Sequence, residues 1–155
     1  MEYRIEQKPE IRIVGMGMPL SQNIEENFQA VPALWAKATQ QDTITSLLNV
    51  MNREPMGILG VSACYGEQWR YLIAVASDSE TPDGLEYLTI PAATWAVFPG
   101  VGKMPDDIQL LEKRIVTEWL PTSGYEYADA PDVERYMNAD PQNAQFEVWI
   151  PVRKK

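Results

Sequence analysis

The chain has 155 residues, a formal net charge of −9, one cysteine and no histidine. This suits a single domain with its own core, excludes an internal disulfide, and argues against the basic face that phosphate neutralisation requires. Lacking histidine, the chain offers neither the usual catalytic triads nor most zinc or iron sites, and no glycine-rich phosphate loop of either usual spacing occurs.

The charged start Met1-Glu2-Tyr3-Arg4-Ile5-Glu6 has no apolar secretory core. No apolar run approaches the roughly 18 residues of a membrane span, so a cytoplasmic protein is expected. Glu10 to Gly15 reads as a strand ending at a glycine. Ser21 to Gln41 reads as a helix capped by Ser21, with Ile24, Phe28, Val31, Leu34, Trp35 and Ala38 at three- and four-residue steps. Pro32 predicts a kink or a fresh start within it. Thr43 to Asn52 is a second, shorter helix carrying Ile44, Leu47, Leu48 and Met51 on one side. Met56 to Ser62 and Trp69 to Val75 follow as strands, joined through Tyr65 to Gln68. The polar turn from Ser77 to Gly84 is the expected seam of the chain.

Beyond that seam the order repeats. Leu85 to Pro99 is strand-like with a break near Pro91. Asp106 to Trp119 is helical, with Ile108, Leu111, Ile115 and Trp119 as its stripe and Pro121 as its stop. Val133 to Met137 and Phe146 to Val152 close the chain as strands. The stretch Ile13-Val14-Gly15-Met16-Gly17-Met18-Pro19 resembles Phe98-Pro99-Gly100-Val101-Gly102-Lys103-Met104-Pro105, and each precedes a helix containing a tryptophan. A duplicated β-α-β-β unit accounts for this. Two such units side by side would leave a cleft, a common place for a ligand.

Five tryptophans and seven tyrosines supply aromatic surface, and core packing absorbs more than half of them. Strand alternation puts Trp69 and Tyr71 on one side of their strand. It puts Thr94, Ala96 and Phe98 on one side of theirs, with Trp95 and Val97 opposite. Trp35 faces either core or cleft. In Asp132-Val133-Glu134-Arg135-Tyr136, Glu134 and Tyr136 share a face. From the residues alone, a solvated edge-strand glutamate or a surface Glu–Arg pair is the favoured reading. The alternative is a carboxylate in an aromatic cleft that pairs with a cationic ligand. Without that ligand it would take up a proton or hydrogen bonds from tyrosine hydroxyls. Cys64 has no histidine to activate it and is expected to be a buried, inert thiol.

Three segments carry a family resemblance. They are Glu118-Trp119-Leu120-Pro121-Thr122-Ser123-Gly124-Tyr125-Glu126, then Pro131-Asp132-Val133-Glu134-Arg135-Tyr136, then Phe146-Glu147-Val148-Trp149-Ile150-Pro151-Val152. In this order they resemble the GyrI-like effector-binding domain, found at the C-terminus of AraC- and MerR-type transcription regulators and as a free-standing protein. Arg70-Tyr71-Leu72 and Thr94-Trp95-Ala96-Val97-Phe98 also look like its strands, with Trp95 where tyrosine is usual. The resemblance spans nearly the whole chain.

The resemblance implies an α+β fold: two β-α-β-β repeats with pseudo-two-fold symmetry, their antiparallel sheets set around a central ligand cleft. One domain over residues 1–155 is expected, with repeat halves at about 1–79 and 84–155. It further implies binding of hydrophobic, often cationic, drug-like molecules. The family's pocket glutamate maps onto Glu134, and aromatic pocket positions map onto Trp35 and Trp69. Tyr71, Met56, Phe98 and Tyr136 join them as expected ligand contacts, by neighbouring alignment and strand parity. No catalytic residue, no cofactor and no metal is expected. No helix-turn-helix segment flanks the module, so the expectation is a free-standing binder with no direct nucleic-acid or membrane contact. A protein partner or a homo-oligomer remains compatible with it. Two further functions stay open: a hydrolase of reactive electrophilic compounds using Glu134 as general base with a tyrosine donor, and an interaction module of the gyrase-inhibitor type.

Overall fold

The computed structural model describes residues 1–65 and 67–155, apart from the side chains of Ile24 and Tyr65. The expected connection from Tyr65 to Gln68 includes Gly66, which lies outside the described residues. In chain order the elements are β1 (Arg4–Lys8), β2 (Ile11–Pro19), α1 (Ile24–Gln40), α2 (Thr43–Val50), β3 (Ile58–Tyr65) and β4 (Gln68–Ala76). Then follow β5 (Glu86–Ile90), β6 (Ala93–Gly102), α3 (Asp106–Arg114), β7 (Tyr125–Tyr127), β8 (Asp132–Tyr136) and β9 (Ala144–Lys154). The fold is α+β, and the strand pairings described below are antiparallel. Among the described residues, no helix is long and apolar enough to cross a membrane.

Contacts divide the chain into two compact units, Ile11–Ile90 and Met1–Glu10 with Pro91–Lys155. In the first, the strands run β3-β4-β2-β5. Val14 of β2, Tyr71, Ile73 and Val75 of β4, Leu34 and Ala38 of α1 and Leu47 of α2 form a buried cluster. Burial of these apolar side chains is what holds α1 and α2 on the sheet. Gly15 is required here, because a Cβ on it would stand 2.2 Å from the Ile73 carbonyl oxygen. Asn23, not Ser21, caps α1, its side chain accepting from the Glu25 amide at 3.0 Å. Ser21 Oγ instead accepts from the Asn23 amide. α1 runs on through Pro32. Phe28, expected in the apolar stripe, is 63% exposed, and the face packed on the cluster is Val31, Leu34, Trp35 and Ala38. Cys64 is exposed rather than buried. It sits opposite Trp69, one pair from the end of the β3–β4 ladder where the two strands connect.

In the second unit the strands run β1-β6-β9-β8, with β7 paired to the far end of β9. α3 continues into a π-helical turn, Ile115–Trp119, and a 3-10 turn, Leu120–Thr122. Ile108, Ile115 and Trp119 pack onto Ala96, Phe98, Phe146, Val148 and Ile150. Each unit thus repeats one β-α-β-β plan and adds an outer strand. The outer strands differ from the expected halves: β5 pairs with β2, and β1 pairs with β6. The polar Ser77–Gly84 turn therefore lies inside the first unit, and the seams fall beside Pro9 and Pro91. Proline donates no ladder hydrogen bond and suits such strand ends.

The family-like run from Trp119 to Tyr125 is a packing device. Trp119 meets Phe98 edge-on at 5.0 Å and stacks with Tyr125 at 5.9 Å. Gly124 takes the left-handed φ of +79° that a side chain disfavours. Ser123 Oγ accepts from the Tyr125 amide at 3.0 Å, closing the turn into β7.

Candidate functional site

The register of β8 decides which of its side chains share a face. Arg135 stands opposite Glu147, and Glu134 opposite Val148. Directly opposed residues of an antiparallel pair project to the same side. Glu134 therefore lies on the side of Val148 and Phe98, against which α3 packs, and Arg135 and Glu147 lie on the other.

Glu147 is a structural carboxylate. It is 5% exposed and accepts from Arg4 at 2.6 Å, Arg135 at 3.1 Å and the Trp149 indole at 3.1 Å. Burial pushes its carboxyl up, but the bonds from Arg4, Trp149 and Arg135 prevail and hold it below the ordinary value. Buried charges persist when paired and hydrogen-bonded in this way.

Glu134 has different company. Asp132 and Tyr136 are its i−2 and i+2 neighbours and share its face. From α3, Glu112 hydrogen-bonds to it, carboxyl to carboxyl. Tyr136 is also hydrogen-bonded to Glu134. Two carboxylates cannot make a hydrogen bond without a proton between them. Glu112 is the member of the pair whose hold on a proton is strengthened, by burial first and by Glu134 second.

The remaining shifts agree. Glu112 is raised far above the ordinary carboxylate range by burial, then by its bond to Glu134 and by the charges of Glu134 and Asp132. Asp132 is pushed up to about 6, by burial first and by Glu134 second. The Tyr136 phenol is raised by burial and then by Glu134 and Glu112; that of Tyr127 is raised by burial and then by Asp132 and Glu112. Both phenols stay neutral and keep their protons as donors.

The expected site residues are thus distributed over the two units. Glu134 and Tyr136 come together on β8. Phe98 lies on the same face but is completely buried against Trp119, so in this structure it is a core residue and presents no open wall. The reason is the π-helical turn, which brings Trp119 over it. In the other unit, the Trp35 indole donates to the Tyr71 hydroxyl at 3.0 Å, and Tyr71 is 4% exposed. Trp69 and Met56 are nearly half exposed, at the start of β4 and ahead of β3. Sequence reasoning missed Glu112, Asp132 and Tyr127. Two of these carried a signal. Asp132 has the same strand parity as Glu134. Glu112 stands four residues after Ile108 and three before Ile115, an acid on an apolar helical stripe.

Residues 4–152 match the family described as integron-associated effector-binding protein. The chain belongs to this GyrI-like family. A DNA gyrase inhibitor of Erwinia billingiae is 35% identical over 88 residues, which are 54% of this chain and 56% of that protein. The matched segment thus spans about half the length of this relative. The structure of SAV2435 bound to tetraphenylphosphonium is similar with a TM-score of 0.89 and 23% identity, over 99% of this chain and 94% of that one. An integron cassette protein of Vibrio cholerae gives 0.68 and 16%, over 97% and 95%. At these identities the two structures show a common fold. The effector-binding family and the Erwinia relative are named for binding and inhibition, not for a reaction. Small-molecule binding is the class of function that goes with the family.

Proposed function

We propose that this effector-binding domain takes up lipophilic organic cations, with Glu134 as their counter-charge. The observation that carries the reading is the group of carboxyls around Glu134, partly buried, with tyrosine hydroxyls among them. Removing these acids from water is costly unless a positive charge replaces the lost hydration. A cation with apolar substituents meets both needs, and the faces of Tyr136 and Tyr127 would add about 0.5–2 kcal/mol each. That SAV2435 is described with tetraphenylphosphonium, a lipophilic cation, supports the same class of ligand. Trp35, Trp69, Tyr71 and Met56 remain candidate ligand contacts on the family resemblance.

The charge requirement is tested by comparing tetraphenylphosphonium with uncharged triphenylphosphine oxide, following tryptophan fluorescence. The reading expects saturable binding of the cation and at least about tenfold weaker binding of the neutral compound, a difference of about 1.4 kcal/mol. Equal affinities would overturn it. The name of the Erwinia relative favours a second reading, direct binding of DNA gyrase. A supercoiling assay with purified gyrase tests it, and no inhibition at saturating protein would dismiss it.

A further inference from the structure

We propose that the outer edge of β5 is a docking edge for a second copy of this chain, the two β5 strands pairing antiparallel about Leu88. The inner edge of β5 pairs with β2, and among the described residues no strand pairs with its outer edge. Such an edge leaves a row of backbone N–H and C=O groups open to another strand. β1, the outer strand of the second unit, is equally short at five residues. It is guarded by Arg4, Glu6 and Lys8, since charges on an edge discourage further pairing. β5 carries one charged residue, Glu86, and that carboxylate is drawn back across β2. It accepts from the Arg70 guanidinium of β4 at 3.1 and 2.8 Å. The bridge passes over Gly17 of β2, where a Cβ would stand 2.6 Å from Glu86 Oε1. The remainder, Tyr87-Leu88-Thr89-Ile90, is uncharged, with Tyr87 61% exposed and Thr89 exposed. Arg12 steadies the strand from within. Its guanidinium lies 4.8 Å over the Tyr87 ring and donates to the Ser77 and Ser79 carbonyls and the Thr81 hydroxyl.

The edge fits itself. Antiparallel pairing about Leu88 sets Glu86 opposite Ile90 of the second copy, Tyr87 opposite Thr89 and Leu88 opposite Leu88. No like charges face each other, and an aromatic residue meets a β-branched one at two places. The two-fold axis makes every contact on both copies and closes the assembly at two. A basic strand from another protein gains no ion pair on β5, because Arg70 already holds Glu86. The copies, each with a net charge of −9, repel over the rest of their surfaces. Added salt screens that repulsion and leaves the uncharged edges intact, so association strengthens with ionic strength. A five-residue contact falls well short of the roughly 1,200 Å² of a stable interface, so the dimer is weak and reversible.

The test is sedimentation equilibrium of the full chain at concentrations up to about 1 mM, in low and in high sodium chloride, with amide hydrogen exchange read on the same samples. We expect a dimer whose fraction rises with concentration and with salt, slower exchange in β5 as it forms, and unchanged exchange in β1. Leu88 faces its own copy across the two-fold axis. Leu88→Lys and Leu88→Glu are therefore each expected to lose the dimer, and an equimolar mixture of the two to recover it. A wild type that stays monomeric at about 1 mM in high salt overturns the inference. So does a dimer that leaves β5 exchange unchanged or that weakens with salt, and so does a folded Leu88→Lys that pairs as well as the wild type. The wild-type measurements need no variant, so the inference stays testable even if the Leu88 variants do not fold. It stands or falls independently of the cation-binding reading.

Discussion

Glu134 and Glu147 lie on adjacent strands and face opposite sides of one sheet, a relationship fixed by the pairing of Arg135 with Glu147. The two glutamates divide the family-like motifs between them. Glu147 is neutralised by two arginines and holds the sheet together. Glu134 stands among other acids and is the candidate for ligand chemistry.

Removing Arg4 tests the structural half of this division. Arg4 is 44% exposed at its side chain while Glu147 is 6% exposed, so solvent screens the pair on one side. Arg4→Ala should cost about 1 kcal/mol, less than for a fully buried pair. Glu147 has a lowered folded-state value, against an ordinary one of 4.5. Its stabilisation is therefore present above that ordinary value and is lost as pH falls towards the folded one. Arg4→Ala should move the acid-unfolding midpoint to higher pH, as followed by circular dichroism. An unmoved midpoint would count against the clamp.

The motif from Trp119 to Tyr125 should matter for stability. Trp119 is 8% exposed and packs edge-on against Phe98. Trp119→Ala should cost about 3–5 kcal/mol. Gly124→Ala, at a φ of +79°, should cost about 1 kcal/mol. Urea denaturation gives both values.

The acid cluster should make the folded chain sensitive to pH in the opposite sense to Glu147. Asp132 is raised from 3.8 to about 6. A group raised in the folded state stabilises fully below its unfolded value, and that stability is lost as pH rises through the folded one. Asp132→Asn should therefore melt higher than wild type at about pH 8, with the gap closing towards about pH 4. Calorimetry at the two pH values decides it, and a constant gap would deny Asp132 its raised value.

Much of this was legible in the sequence. The helix stripes around Leu34 and Ile108, the strands on either side of them and the shared face of Glu134 and Tyr136 follow from periodicity. The outer strands were not legible as they pair. Arg4-Ile5-Glu6-Gln7-Lys8 has one apolar residue, because an outer strand buries little and gains from charges that block further pairing. Nor does local pattern say which sheet edge such a strand joins. Glu112 carried only a partial signal. Its place on the Ile108–Ile115 stripe sets its face of the helix, but not that the strand opposite carries Glu134. For Phe98, parity gives the face of the sheet and not what covers it, and here Trp119 packs edge-on against it.

The Trp35–Tyr71 bond gives a further check. Tyr71→Phe removes the acceptor of the Trp35 indole at 3.0 Å and should cost about 1 kcal/mol in stability. If Tyr71 and Trp35 also contact the effector, the change should weaken tetraphenylphosphonium binding as well. Unfolding and binding titrations on the same variant separate the two effects.

The central claim is that Glu134 supplies the charge that holds a cationic effector. Its most direct test is the dissociation constant for tetraphenylphosphonium of the wild type against Glu134→Gln, which keeps the shape and removes the charge. The account predicts at least about tenfold weaker binding, a loss of about 1.4 kcal/mol or more, with folding intact by circular dichroism. A folded Glu134→Gln that binds the cation as tightly as the wild type would contradict it.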